Sequence, residues 1–263
     1  MLFMLVWTFL QAQPTTQIRY RESMKIQVPI IGKVEMISTT VVANGMVHEK
    51  EESNIDRFVF RWMSGSEGSI IDQSNGYMVS YDNEYEEYWY TTFEDLIEER
   101  VNPDSSNRKS VSFTMGGDDD EDREEPVVSR TDQGIETVNG IIAHKWVTSI
   151  VSDDGRMIFE EWMAEDLPLR KKATKMQRNI NEKIGLAVRE EEFTGISNVM
   201  SSSNKFDLDP IPGTQIKMNL MGFEEDKDDP KMRAFFELLN IEEEAFNPDD
   251  FHAPVDYEFV EKN

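Results

Sequence analysis

Two β-rich runs, Ile141–Val151 (IIAHKWVTSIV) and Arg156–Met163 (RMIFEEWM), are separated by a turn around Asp153-Asp154-Gly155. β-branched and aromatic runs on either side of so short a turn close as an antiparallel hairpin. Asn44-Gly45 repeats the arrangement between Lys33–Ala43 (KVEMISTTVVA) and Met46–Ser53 (MVHEKEES). Side chains alternate between faces along a strand, so Arg57–Met63 (RFVFRWM) places Phe58, Phe60 and Trp62 on one side, the pattern of a half-buried strand. The chain is therefore expected to be built mainly on hairpins.

Further strands are predicted at Gln17–Val28, Ser69–Asp72, Tyr77–Tyr81, Tyr85–Thr91, Ser110–Met115, Pro126–Thr131, Gly134–Gly140, Ile141–Val151 and Thr214–Leu220, with turns at Ser64–Gly68 and Ser74–Gly76. Three segments change period. Thr91–Arg100 reads as a short helix capped by Thr92, with Asp95 three residues on. Arg170–Val188 is the best long helix, because Ala173, Met176, Ile180, Ile184 and Ala187 recur every three or four residues. It is also the basic segment of an acidic chain. Pro230, at a first-turn position after Asp229, predicts a third helix through Lys231–Leu239, with Ile241–Phe246 extending it. The tail, Phe251–Val260, reads as extended.

Asp plus Glu number 52 against 27 Lys plus Arg, a formal charge of -25. Such a charge repels phosphate backbones and anionic head groups, which excludes nucleic acid as a partner. The sequence contains no cysteine. Disulfides, thiol catalysis, cysteine-ligated metals and a cysteine-linked lipid anchor are thereby excluded. In Gly116–Glu125 (GGDDDEDREE) seven of ten residues are acidic. Like charges at this density do not pack, so a mobile loop is expected that separates two β-rich stretches of one domain, residues 17–260.

Leu2–Leu10 (LFMLVWTFL) is apolar but for Thr8, and too short to cross a bilayer, which takes about 20 residues. It fits the core of a secretory signal over residues 1–12, with Ala12 before the cut. No Lys or Arg precedes the run, so the expectation is a leader lacking its basic start. A buried N-terminal strand or helix is the alternative, less compatible with the polar turn at Gln11–Gln17. Export implies a periplasmic or secreted location in a Gram-negative envelope, with no transmembrane segment in the mature chain.

Chemistry-bearing patterns are sparse. His48, His144 and His252 lack metal-ligand spacing. The run Asp118–Asp122 lacks the alternation and the central Gly of a calcium loop. No nucleophile elbow or phosphate loop occurs. No catalytic residue, cofactor or metal site is therefore assigned, and carboxylate-based hydrolysis is kept as the weakest reading. The aromatic residues are more informative. Phe58, Phe60, Trp62, Tyr88, Trp146 and Trp162 read first as core between a curved sheet and its helices, and are the candidates to line an apolar cavity for an acyl chain or lipid if the interior is hollow.

The string Val138-Asn139-Gly140-Ile141-Ile142-Ala143-His144-Lys145-Trp146, with Glu161-Trp162-Met163-Ala164-Glu165-Asp166-Leu167-Pro168, resembles exported bacterial proteins of the domain of unknown function 4412 family. Pro212–Met218 and Asp249–Tyr257 resemble that family's late strand and ending, with Asp256 where a Gly is frequent. The resemblance runs loosely over residues 17–260 and omits the acidic loop. It implies a fold similar to the periplasmic lipoprotein carrier. That fold is α+β: a strongly curved antiparallel sheet, an unclosed β-barrel, with two or three helices packed on its concave side. It also implies a non-enzymatic envelope protein whose partner is a hydrophobic ligand or, with a filled core, another envelope protein. The family brings no catalytic residues to carry over.

Overall fold

The computed structural model describes residues 14–29, 32–57, 64–101, 126–186 and 208–261. The predicted leader, the strand containing Phe58, Phe60 and Trp62, the strand Ser110–Met115 and the acidic loop lie outside the described residues.

The first meander comprises β1 (Thr16–Val28), β2 (Gly32–Ala43), β3 (Met46–Ile55), β4 (Gly65–Asp72), β5 (Tyr77–Asp82) and β6 (Glu87–Thr92), followed by helix α1 (Phe93–Val101). The second comprises β7 (Val127–Val138), β8 (Ile141–Ser152), β9 (Gly155–Ala164), helix α2 (Pro168–Lys183), β10 (Thr214–Glu224) and β11 (Met232–Ala245). A 3₁₀ turn (Pro248–Phe251) and the short β12 (Glu258–Phe259) end the fold. The two meanders fuse along the antiparallel β1–β11 ladder, giving one twelve-stranded sheet ordered β12-β6-β5-β4-β3-β2-β1-β11-β10-β9-β8-β7. The order is linear: among the described residues β7 and β12 are free edges, so this large, curved sheet is unclosed.

Turn chemistry explains the hairpins. Asn139 and Gly140 carry φ of 51° and 81°, the left-handed pair of a tight two-residue turn, between the partners Val138 and Ile141. Asn44-Gly45 joins the partners Ala43 and Met46 by a two-residue turn of another kind, in which Gly45 alone is left-handed, at φ 87°. The expected cap of α1 is present: Thr92 Oγ1 accepts from the Asp95 amide at 3.1 Å and donates to its carboxylate at 2.6 Å.

Four expectations are corrected. Lys231–Leu239 is strand β11, not a helix. Both its faces carry apolar residues, so its periodicity is ambiguous. Ladders on both sides decide the matter, with Ala234, Phe236 and Leu238 toward one face. Ser64–Gly68 is largely part of β4, because Gly68 lies opposite Tyr81 and its missing side chain accommodates the tyrosine ring. Pro126–Thr131 and Gly134–Gly140 are not separate strands: Val127–Val138 is continuous, with an irregularity between Asp132 and Gly134. The long helix starts at Pro168 and ends at Lys183, because Gly185 turns left-handed at φ 82° and Leu186 N bonds back to Asn181 O at 2.8 Å.

Two α-helices occur among the described residues. α2 packs on β2, β3 and β11, and buries Ala173 and Ile180 in a cluster with Ile18, Tyr20, Val42, Val47 and Leu238. The sheet face carrying α2 is termed the inner face. The C-terminal segment crosses the outer face. Phe251 there joins Val41, Ala43, Ile70 and Tyr81, and Glu258 and Val260 donate to Glu86 O and Tyr88 O.

Candidate functional site

Register fixes what the inner face presents, because directly opposed residues share a face. One cross-strand row reads Trp89, Ser80, Ser69, Glu49, Thr40, Tyr20, running from β6 to β1. The next reads Glu67, Glu51, Ser38, Glu22, Leu238, from β4 to β11. Together these rows floor a hollow of about 470 Å³. Its walls and floor supply four carboxylates (Glu22, Glu49, Glu51, Glu67), four hydroxyls from Ser and Thr, the side chain of Lys50, and the rings of Tyr20, Tyr81 and Trp89.

α2 stands beside this hollow and holds one end of it. Arg170 pairs with Glu22 at 3.0 Å and lies 4.0 Å over the Tyr20 ring centre. Gln177 donates to Glu49 at 3.2 Å and accepts from the Tyr20 hydroxyl at 3.4 Å. Burial pushes the Glu22 carboxyl above its ordinary range despite Arg170. Burial, together with the opposed Glu67, does the same to Glu51.

The following rows of the same face are apolar. Met36, Met24, Phe236 and Met218 run side by side from β2 to β10, continuing to Glu161 and Trp146. Beside them run Val34, Ile26, Ala234, Leu220 and Phe159. Phe159, Met218, Leu220 and Ala234 are buried, whereas Met24 at the centre is 38% exposed. Glu161 is fully buried and accepts from Gln215 Nε2 at 2.8 Å. Nearby, Arg130 donates to Thr148 Oγ1 at 3.1 Å and to Asp209 O, and burial lowers its guanidinium below its usual range. Arg170 keeps Glu22 company; Gln215 keeps Glu161. Half-buried Glu22 and fully buried Glu161 thus sit in different rows with different partners.

The predicted cavity residues are dispersed. Trp146 lies opposite Glu161 on the inner face, whereas Trp162 lies opposite Lys145 and Lys217 and so points the other way. The Trp162 ring is sandwiched between Lys145 Nζ and Lys217 Nζ, each 4.7 Å from its centre, and its Nε1 donates to Glu136 at 2.7 Å. Tyr88, far across the sheet on β6, packs on Phe259 and Tyr90. Phe58, Phe60 and Trp62 lie outside the described residues. Sequence reasoning passed over Glu51, Glu67 and Ser80. The one available signal was the alternation of Glu49, Glu51 and Ser53 in β3, which places a polar stripe on a single face.

The histidines stand apart. His48 Nε2 lies 2.6 Å from the Tyr81 hydroxyl, His144 lies 3.7 Å from Asp132, and His252 Nδ1 lies 2.8 Å from Pro248 O. Among the described residues, no group of three or more His, Asp or Glu is placed to hold a metal ion. A second hollow, about 320 Å³, lies on the outer face beneath the 3₁₀ turn, lined by Met46, Tyr77, Val79, Tyr90, Phe246 and Phe251 among others.

No family model and no curated protein matches the chain. The resemblance to the domain of unknown function 4412 family therefore rests on the quoted motifs alone. Among solved structures, a LolA superfamily protein from Nitrosomonas europaea is similar over 91% of this chain and 91% of its own, at 6% identity and a TM-score of 0.28. A likeness of that degree carries no functional argument.

Proposed function

We propose that the protein is a non-catalytic binding protein of the cell envelope that holds the apolar chain of an amphiphile against the inner face of its sheet. The observation that carries this reading is Met24. It sits at the centre of an apolar row, flanked by Met36 and Phe236, yet remains 38% exposed. A filled core buries its central residue, whereas a floor awaiting a chain leaves it open. Methionine is also the side chain best able to repack around ligands of different shape.

The test uses dodecyl maltoside, a neutral amphiphile, below its micelle concentration, with binding read by tryptophan fluorescence and native mass spectrometry. Saturable binding by the wild type, lost in Met24→Glu, is the expected result. Thermal unfolding of the variant checks that its fold is retained. No binding, or binding that Met24→Glu leaves unchanged, overturns the reading in favour of a filled core.

A further inference from the structure

We infer that the hollow of the inner face is a recognition site for a primary ammonium group, the cationic end of the amphiphile whose chain lies on the neighbouring apolar rows. This deepens the proposed function and rests on it for the chain, but the site itself is argued separately.

The hollow is rich in acceptors. Of its four carboxylates, Glu22 is answered by Arg170 and Glu49 by Gln177. Glu51 and Glu67 oppose each other directly across β3 and β4, and neither makes an ion pair among the described residues. Lys50 also lines the hollow, but its ammonium is directed to Glu52 at 2.8 Å and not to Glu51 or Glu67. Glu51 and Glu67 are both exposed, so water screens part of their repulsion, and a cation between them would remove the rest.

A second, independent feature points into the same space. Ser80 lines the hollow between Ser69 and Trp89, is only 9% exposed, and makes no hydrogen bond among the described residues. The residue is packed in the sheet while its hydroxyl opens on the hollow. With no protein partner among the described residues, it is open to a ligand in the hollow, beside the half-buried ring of Trp89, whose face attracts cations. An ammonium supplies three donors and a positive charge and so answers Ser80, Glu51 and Glu67 together. A neutral sugar leaves the opposed charges uncompensated.

Position along the strands supplies the link to the chain. Along β1, Tyr20 and Glu22 of the hollow are followed on the same face by Met24 and Ile26, and along β2, Thr40 and Ser38 are followed by Met36 and Val34. A ligand lying along these strands meets acceptors at one end and apolar side chains at the other.

Binding of dodecylamine, dodecyl maltoside and spermidine is to be compared by calorimetry for the wild type and for the double variant Glu51→Gln, Glu67→Gln. Removal of a carboxylate pair that repels itself leaves the fold intact, which thermal unfolding verifies. The wild type is expected to bind dodecylamine about tenfold more tightly than dodecyl maltoside at low salt, a preference that shrinks in high salt and in the double variant. Ser80→Val is expected to reduce the same preference. Spermidine binding that depends on Glu51 and Glu67 also supports the site and identifies a free polyamine as sufficient. Equal affinity for the two amphiphiles, or a preference that survives the double variant, overturns the inference while leaving the apolar floor standing. Failure of both amphiphiles with retained spermidine binding removes the floor and keeps the site; failure of all three removes both.

Discussion

Glu51 on β3 and Glu67 on β4 are directly opposed on the inner face, and partial burial first, then the charge of Glu67, pushes the Glu51 carboxyl above its ordinary range. A group whose folded pKa exceeds its unfolded value favours the folded state most when protonated. Its contribution is therefore fully present below the unfolded value of 4.5 and is lost as pH rises through the folded value. At neutral pH, Glu51→Gln is expected to raise stability by about 0.5 kcal/mol, the size of a cross-strand like-charge term. Urea unfolding at two pH values checks it: the advantage of the variant should vanish near pH 4.

On the outer face, His48 joins the C-terminal segment to the sheet. Its Nε2 lies 2.6 Å from Tyr81 OH, and Tyr81 is raised to about 12, chiefly by burial. Burial lowers the His48 imidazole, and Arg19 and Lys50 add to this against the pull of Asp250. A depressed folded pKa contributes stability that is full above the unfolded value of 6.5 and lost as pH falls through the folded value. The segment from Phe246 to Val260 should therefore exchange its amides faster at about pH 5.5 than at neutral pH, after correction for intrinsic rates. His48→Gln should flatten that pH dependence. An unchanged ratio of protection in wild type and variant would show that His48 does not govern the segment.

Gly68 is required by its neighbour. A Cβ at this position would stand 2.2 Å from Tyr81 Cζ, and Tyr81 is 3% exposed and packed under the 3₁₀ turn. Gly68→Ala is expected to cost about 2 kcal/mol through overpacking, measured as a lower denaturation midpoint at constant slope. Combining it with Tyr81→Leu should cost less than the two single changes added together, since the clash disappears with the ring.

Much of the sheet was legible because its hairpins announce themselves. Asn44-Gly45 and Asp153-Asp154-Gly155 are local signals, and so is the Thr92 cap of α1. What was not legible depended on partners. Lys231–Leu239 has apolar residues on both faces because it lies in the interior of the sheet between β1 and β10, and no local rule separates that from a helix. Asn139-Gly140 was read as part of a strand although it is a turn signal of the same kind as Asn44-Gly45. Of the candidate site, the aromatic residues were visible but their directions were not. Trp146 and Trp162 face opposite ways because Lys145 and Glu161 stand opposite Trp162 and Trp146 respectively, and that pairing is a matter of register. The hollow was least legible of all, since its residues come from six strands and none carries a motif.

Arg170 offers the sharpest separation of charge from packing. Its guanidinium pairs with Glu22 at 3.0 Å and covers the Tyr20 ring at 4.0 Å, with 27% of the Arg170 side chain and 20% of the Glu22 side chain exposed. Glu22 is already raised by burial, and Arg170 is the group that opposes this. Arg170→Ala therefore leaves a largely buried carboxylate without its cation, and is expected to cost about 2 kcal/mol at neutral pH. The sign with pH follows: without Arg170 the folded pKa of Glu22 rises further, so protonation on acidification restores part of the loss. Arg170→Ala should thus recover toward wild type near pH 4, whereas a deficit due to lost contact with Tyr20 would persist there. Glu22→Gln in the Arg170→Ala background should restore the charge part at every pH, and the remainder, read from the unfolding midpoint, is the packing of the guanidinium on the Tyr20 ring.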